Sequence, residues 1–429
     1  MRIAIIGAGI SGLTAALRLS TGHAVTLFEA GPSLGGHTNT VDVALDGEQH
    51  AIDTGFIVFN DWTYPSFIAL LDELGVASQP TTMGFSVRCE RTGLEYNGES
   101  LRGLFAQRRN LLRPRFYGMI ADILRFNREA LQVADGLGVA AEDETVGDFL
   151  RRGRYGREFC DHYLLPMGSA IWSCPLGTFE QFPLRFIAEF YRNHGLLNVA
   201  NRPTWRVIRG GSRTYVEKIR QRLPGPVHLN CPIARVRRFD DDVEVTPRNG
   251  EPLRFDHVVF ACHADQALRM LSDSTPVERE LLGAFPYERN TAVLHTDVSV
   301  LPRRRRAWAS WNYHLPAEPA SRATITYCMN ILQRLESRHV FNVTLNSDER
   351  IDPARVLGRF VYEHPVFTTA RAAAQARHAE VIGRNRTSFC GAYWRNGFHE
   401  DGVVSALAVC RVLNRAVERS EARPLEAVA

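Results

Sequence analysis

RIAIIGAGISGLTAALRLSTGHAVTLFEA, residues Arg2 to Ala30, is the stretch that decides the fold. RIAII is a short, β-branched apolar run of the kind that makes a buried parallel strand. GAGISG follows, with Gly7, Gly9 and Gly12 in GxGxxG spacing and Ser11 among them. A helical LTAALRLS, a turn at Thr21–His23 and a second strand, AVTLFEA, complete the unit, and that strand ends in Glu29. Each part has a physical task. Gly7 makes the tight turn, Gly9 lets a pyrophosphate approach the backbone, and Gly12 lets helix and strand pack closely. The helix N-terminus offers free N–H groups and a positive dipole end to phosphates. Glu29 stands where a carboxylate accepts ribose hydroxyls and repels a 2′-phosphate. A second GxGxxA match, GLGVAA at Gly136–Ala141, follows a helical pattern and lacks an acid-terminated strand, so it reads as an inter-helix loop. One dinucleotide site is therefore expected, with no separate nicotinamide site.

Downstream of Glu29 lie Gly35, Gly36, His37 and Thr38, and then IDTGFIVF (Ile52–Phe59). An acid-terminated second strand followed by a glycine pair resembles the flavin amine oxidase and phytoene desaturase superfamily. The resemblance implies FAD, taken as non-covalent, with the glycine pair running along the pyrophosphate and Gly55 and Phe56 near the flavin ring. The superfamily usually carries Arg after the glycine pair, so His37 puts a titratable imidazole where a permanent cation is customary. Two later segments fit the same family. VIRGGSRTYVEKI (Val207–Ile219) leads through HLNCPIARVRRF to DHVVFAC (Asp256–Cys262), which reads as a further strand of the same sheet. By similarity, the backbone near Val236 would contact the adenine. RTSFCGAYWRNGFHEDGVVSALAVCRVL (Arg386–Leu413) holds a strand ending at Gly391 and a helix with Asp401 as its expected N-cap and Gly402 and Val403 in its first turn. The resemblance aims that helix start at the flavin, where its dipole would stabilise charge developing on reduction.

The expected fold class is α/β: a discontinuous Rossmann-type FAD-binding domain (1–75, 205–270 and 380–429) with an inserted, amine-oxidase-like α+β substrate domain (76–204 and 271–379). The first insertion reads as mostly helical after a strand pair in MGFSVRCERTGLEYNG. The second holds strand-like NTAVLHTD, RATITYCMN and HVFNVTLN, a sheet flooring a pocket. The Arg303–Arg306 run and the 420–429 tail read as solvated surface.

Composition bounds the rest. The 429 residues are 45% hydrophobic and 23% charged, ordinary for a globular enzyme of two domains. A net charge of +4 does not call for a nucleic-acid partner. The eight cysteines show no CxxC and the 14 histidines no HxxxH, so neither disulfides nor a metal site is expected. No apolar run approaches the roughly 18–20 residues of a membrane span, and the apolar start lacks the basic cluster of a signal peptide. The expected location is cytoplasmic, with peripheral membrane contact open: residues 102–128 hold seven arginines and one acid, Asp122, interleaved with leucines and aromatics.

Lys218 is the only lysine. Amine oxidases of this superfamily place a lysine near the flavin, and this one falls in the helix after Gly210–Gly211, on the expected surface. Tyr393 and Trp394 could form half of an aromatic cage for an amine. LPMGSAIWSCP, TYCMNILQRL, YEHPVF and CGAYWRNGFHEDGVVSAL further resemble bacterial NAD/FAD-binding proteins related to the N-terminal region of plant cyclopropane fatty acid synthases. That resemblance implies an association with modified membrane fatty acids and names no reaction. The expected function is an FAD-dependent oxidoreductase that desaturates or dehydrogenates such acyl chains, by hydride transfer to flavin N5 because a C–H bond with no acidic neighbour offers no easy proton to abstract. Two alternatives stay open: an amine oxidase, and a non-redox lipid-binding accessory to a fatty-acid methyltransferase. Tyr327, Asn330, His364 and Tyr393 are candidate pocket residues; His399 and Glu400 are the polar residues nearest the proposed flavin helix, and no catalytic residue is assigned.

Overall fold

The computed structural model describes residues 1–137, 144–172, 174–198, 200–317, 324–366 and 368–421. Most of the GLGVAA loop and nearly all of the 420–429 tail lie outside them.

Arg2–Ile6 is the centre of a six-stranded sheet. It pairs in parallel with Ala24–Phe28 on one side and His257–Phe260 on the other, and Val227–His228 and Thr387–Phe389 extend the parallel array outward. Ile382–Arg384 closes one edge in antiparallel. The period of two in strand side chains explains the layering. Ile3 and Ile5 face one core with the helices α1 (Ile10–Leu19) and α2 (Pro65–Leu74). Ala4 and Ile6 face a second core, built on Ile233, Val236 and Val245 of a three-stranded antiparallel sheet. A strand buried on both faces must be apolar throughout, which is why RIAII shows no alternation.

Three more helices matter for the site: α3 (Pro114–Ala134), α4 (Arg213–Arg222) and α5 (His399–Glu421). α4 and α5 join the same core as α1, through Tyr215 and Ile219 and through Val403, Ala406 and Val409. The close contact of α1 with α5 depends on Gly402, where a Cβ would stand 2.7 Å from Ile10 Cγ2 and 2.9 Å from Ser11 Oγ.

The inserted stretches build a seven-stranded sheet in the order Val356–Pro365, Tyr287–His295, Asn342–Leu345, Ile325–Cys328, Trp311–Leu315, Phe85–Cys89 and Leu94–Asn97. Every pairing is antiparallel except that of Trp311–Leu315 with Phe85–Cys89. α3 and the helices between 146 and 193 pack an aromatic-rich core beside it.

Burial sets the acid tolerance of this fold. His257, His295, His314 and His378 have their pKa lowered by burial from 6.5 to between about 3 and about 4. Stability that depends on their neutral form is complete above pH 6.5 and is lost as pH falls toward 4, because the unfolded chain binds the protons first. Burial raises Asp53 and Asp401 to about 6, and their contribution has the opposite sign: complete below 3.8, lost as pH rises through 6. The histidines outnumber them. Thermal scans from pH 7 to 4.5 should therefore show Tm falling steadily; a flat or rising Tm would mean these rings are protonated in the native state.

Candidate active site

A cavity of about 980 Å³ runs from the glycine turn, past the two helix N-termini, to the seven-stranded sheet and the aromatic-rich helices. Its volume sits at the upper end of ligand sites.

At one end the opening βαβ unit supplies the wall. Gly7 has φ +101°, and a Cβ there would stand 2.9 Å from the backbone of Ala261, so the turn admits only glycine. A Cβ on Gly9 would meet no protein atom within 4 Å and would project into the cavity. Gly35 (φ +122°) and Gly36 (φ +59°) pass behind it, with Gly9 and Gly35 bridged as in a parallel sheet. The result is a cradle of backbone beside the start of α1, where Gly9 and Ser11 line the cavity and the dipole favours an anion. Glu29 also lines it. Its carboxylate accepts from Ala8 N–H and Gly31 N–H, each 2.8 Å away, so the acid is held in place at the strand end.

The N-terminus of α5 opens onto the same space through Gly397, Phe398 and His399. Two helix N-termini thus converge on one cavity. Asp401 is not the N-cap. The helix starts at His399, and Asp401, in its first turn, reaches back to accept Phe398 N–H at 2.9 Å, the third-residue role of a capping box. Gly402 and Val403 lie behind the wall: one seats α5 against α1, the other fills the core.

Thr38 likewise turns inward. Its Oγ1 sits 2.5 Å from Tyr215 Oη and 3.0 Å from His399 Nε2, with Tyr215 and His399 3.1 Å apart. His399 stacks on Phe56 at 3.5 Å, and burial drives its pKa far down, so a neutral imidazole and Phe56 form one side of the cavity. Gly55 lines it too, pressed under His37, whose carbonyl accepts Phe56 N–H at 2.7 Å. Glu400 is not in the cavity: it caps α2, accepting Ser66 N–H at 3.0 Å and Phe67 N–H at 2.8 Å.

His37 lines the cavity beside Tyr362 and His364, with ring centroids 5.2 and 5.3 Å away. Burial, and then the nearby His263, lower its pKa to about 4, so it brings no charge at neutral pH. Val236 itself does not line the cavity. Its side chain is wholly buried in the core and its carbonyl accepts Ser272 N–H, while Cys231, Pro232, Ile233 and Ala234 meet the cavity instead. Of the pocket candidates, Tyr327, His364 and Tyr393 line it. Asn330 does not; it ties a turn, donating to His339 O and accepting from Phe341 N–H. Trp394 keeps contact with Tyr393 but stacks on His378 and is not part of the cavity wall, so the pair makes no cage. Lys218 is exposed on α4.

The residues fit FAD. Backbone amides at the start of α1 suit the pyrophosphate, the open side of Gly9 gives it room, and Glu29 suits the ribose. The buried Tyr393 lies on the cavity wall. Fold and site together define an FAD-dependent oxidoreductase. The chain belongs to the family described as flavin containing amine oxidoreductase, which matches residues 10–296. A probable zeta-carotene desaturase of Synechococcus elongatus is 36% identical over 76 residues, 18% of this chain and only 15% of that protein. Cyclohexylamine oxidase from Brevibacterium oxydans IH-35A shares the fold with TM-score 0.68 and 16% identity, covering 97% of this chain and 99% of that one. The CLA-producing fatty acid isomerase from P. acnes does so with TM-score 0.66 and 15% identity, covering 96% and 98%.

Glu29→Ala should weaken FAD binding by about tenfold or more, because both a ribose acceptor and the brace on Ala8 are lost; a charge-assisted hydrogen bond contributes roughly 1.5–3 kcal/mol. Titration of apoprotein by flavin fluorescence quenching measures it, and an unchanged affinity would reject the ribose assignment.

Proposed function

We propose that this oxidoreductase dehydrogenates an apolar chain, most simply the acyl chain of a membrane lipid that is unsaturated, methylated or cyclopropanated. The observation that carries the reading is the chemistry of the cavity beyond the dinucleotide cradle. Met83, Phe85, Met167, Ile171, Trp311 and Tyr327 line it, and the one lysine is exposed on the far helix α4. Glu99 and Glu363 also reach the cavity, but the apolar majority of this lining stabilises a hydrocarbon over an ammonium group, which would lose its hydration there. The resemblance to proteins related to cyclopropane fatty acid synthases points the same way. So does the fatty acid isomerase, whose fold is shared, although it sits beside amine oxidases in that fold.

FAD, when bound, supplies the two-electron acceptor for the hydride. The chain's own residues hold and desolvate the substrate. Removing hydride and proton from adjacent carbons also requires a proton acceptor. The imidazoles of His263 and His364 line the cavity, but burial holds both below their ordinary pKa and His364 Nδ1 pairs with Asn290 Nδ2 at 3.0 Å, so they are weak bases and the proton would pass on to solvent.

An anaerobic titration of the yellow protein tests this reading. Detergent-dispersed phospholipids with unsaturated or cyclopropane chains should bleach the visible flavin band, and a panel of mono- and polyamines should not. Bleaching by amines alone would replace the proposal with amine oxidation. Lipid binding without bleaching by any compound would replace it with the accessory role beside a fatty-acid methyltransferase.

A further inference from the structure

The segment around α3 keeps apolar side chains on both of its faces. Inward, Phe116 packs on Phe105 and Tyr96, both at 5.8 Å, and Met119, Phe126 and Ala130 are buried. Outward, Leu101 is 75% exposed and Leu112 87%, with Leu111, Tyr117 and Leu124 exposed as well. Tyr117 Oη donates to Leu111 O at 3.1 Å, which fixes the turn Arg108–Leu112 against the first turn of α3. Leu124 lies two helical turns from Tyr117 on the same face. The inner face already satisfies the core, so the outer leucines serve no packing role.

Arginine surrounds them. Arg102, Arg108, Arg109, Arg115 and Arg128 are exposed, and so is the Arg303–Arg306 run, whose turn Arg305–Ala307 packs on the short helix Leu101–Leu104. Three nearby acids are already engaged, Glu95 with Arg304 at 3.1 Å, Asp122 with Arg125 at 2.9 Å and Glu158 with Arg115 at 3.6 Å, while Glu99 stands exposed at the edge of the patch. Arg102, Arg108, Arg113, Arg128, Arg303, Arg305 and Arg306 face no carboxylate within ion-pair distance among the described residues. Exposed leucines ringed by uncompensated arginine match one environment, the interface of an anionic bilayer, where apolar tips enter the acyl boundary and guanidinium groups meet phosphates. A second copy of this chain does not match. A two-fold contact would set each arginine cluster against its own image.

We propose that the face formed by Leu101, Leu111, Leu112, Tyr117 and Leu124 docks on anionic phospholipid membranes. The docked face borders the cavity: Tyr96, stacked under α3, lines it, and so does Glu99, two residues before Leu101. The inference stands independently of which substrate the flavin oxidises.

Co-sedimentation of the FAD-loaded protein tests it, using vesicles of phosphatidylcholine alone or mixed equally with phosphatidylglycerol. Binding should be at least about tenfold tighter to the mixed vesicles and should be lost near 0.5 M salt, where screening is short-ranged. Arg108→Glu with Arg113→Glu should weaken it by about 25-fold or more, from roughly fivefold per arginine near a charged surface. Leu112→Glu should also weaken it, whereas Leu253→Glu, an exposed leucine on the small three-stranded sheet, should not. Retained flavin absorbance shows that each variant is folded. Equal binding to both vesicles, no binding, or indifference to these substitutions would overturn the proposal. A wild-type dimer that Leu112→Glu dissociates in light scattering would assign the face to self-association instead.

Discussion

Gly9→Ala should yield a folded protein that purifies colourless, while the same change at Gly12 should yield little folded protein at all. The two glycines are three residues apart in one motif, yet a methyl group meets opposite surroundings. At Gly9 it touches no protein atom and enters the space of the cofactor, and the backbone there (φ −70°, ψ −176°) is open to any residue. The fold is untouched and only the ligand is displaced. A loss of about 100-fold in FAD affinity, near 2.7 kcal/mol, is expected. At Gly12 the methyl would stand 1.9 Å from the carbonyl oxygen of Gly7, and no rotamer relieves a clash between a Cβ and backbone. Overpacking of side chains already costs about 1–3 kcal/mol. A backbone clash between the first turn of α1 and the glycine turn that leaves the central strand exceeds that, against a total stability of roughly 5–15 kcal/mol. Soluble yield, thermal scans of apoprotein and flavin titration separate the two. If Gly9→Ala unfolds as Gly12→Ala does, the open cradle is not a cofactor site.

Asp53→Ala should be the most damaging single change outside the glycines, by about 3–5 kcal/mol. Asp53 is fully buried. Its Oδ1 accepts from Thr40 Oγ1 at 2.6 Å, Ser212 N–H at 2.9 Å and Ser212 Oγ at 2.8 Å, and its Oδ2 accepts from Gln333 Nε2 at 3.2 Å. One carboxylate thereby joins the hairpin Thr40–Asp53 to the start of α4 and to a loop of the substrate-side lobe. Alanine leaves these donors buried and unpaired, at about 1–3 kcal/mol each before relaxation. Asp53→Asn tests the charge separately, because it keeps one acceptor. Burial pushes the carboxyl up to about 6, so the wild type loses stability relative to the asparagine variant as pH rises from 4 to 7. Urea denaturation at both pH values measures this, and a gap that does not change with pH would show that Asp53 carries the same charge in both states.

The residues that sequence reading missed share a property. Tyr215, Asp53 and Gln333 make bonds to partners 159 to 280 positions away, to His399, Ser212 and each other. No local pattern announces such a pair. The D-x-G segment pointed to Gly55 and Phe56 and passed over the aspartate that anchors them. The expectation of backbone near Val236 located the region, but which residues meet the cavity, Cys231 to Ala234, depends on the strand's register against its neighbours. Asp401 slipped from cap to first turn for a related reason: the start of α5 is fixed by the packing of His399 on Phe56 and of Gly402 on α1.

What the amino-acid order alone determined was the dinucleotide cradle. Turn, helix dipole and strand end are short-range consequences of glycine, apolar periodicity and one acid within thirty residues, so they can be read wherever they occur. Tertiary structure alone decided what lies opposite that cradle. It brought α5 against α1 so that two helix N-termini face one cavity. It turned Thr38, Tyr215 and His399 into a single buried cluster, and it left the leucines beside α3 outside. Those outcomes depend on which distant surfaces bury each other, and burial is a property of the folded chain.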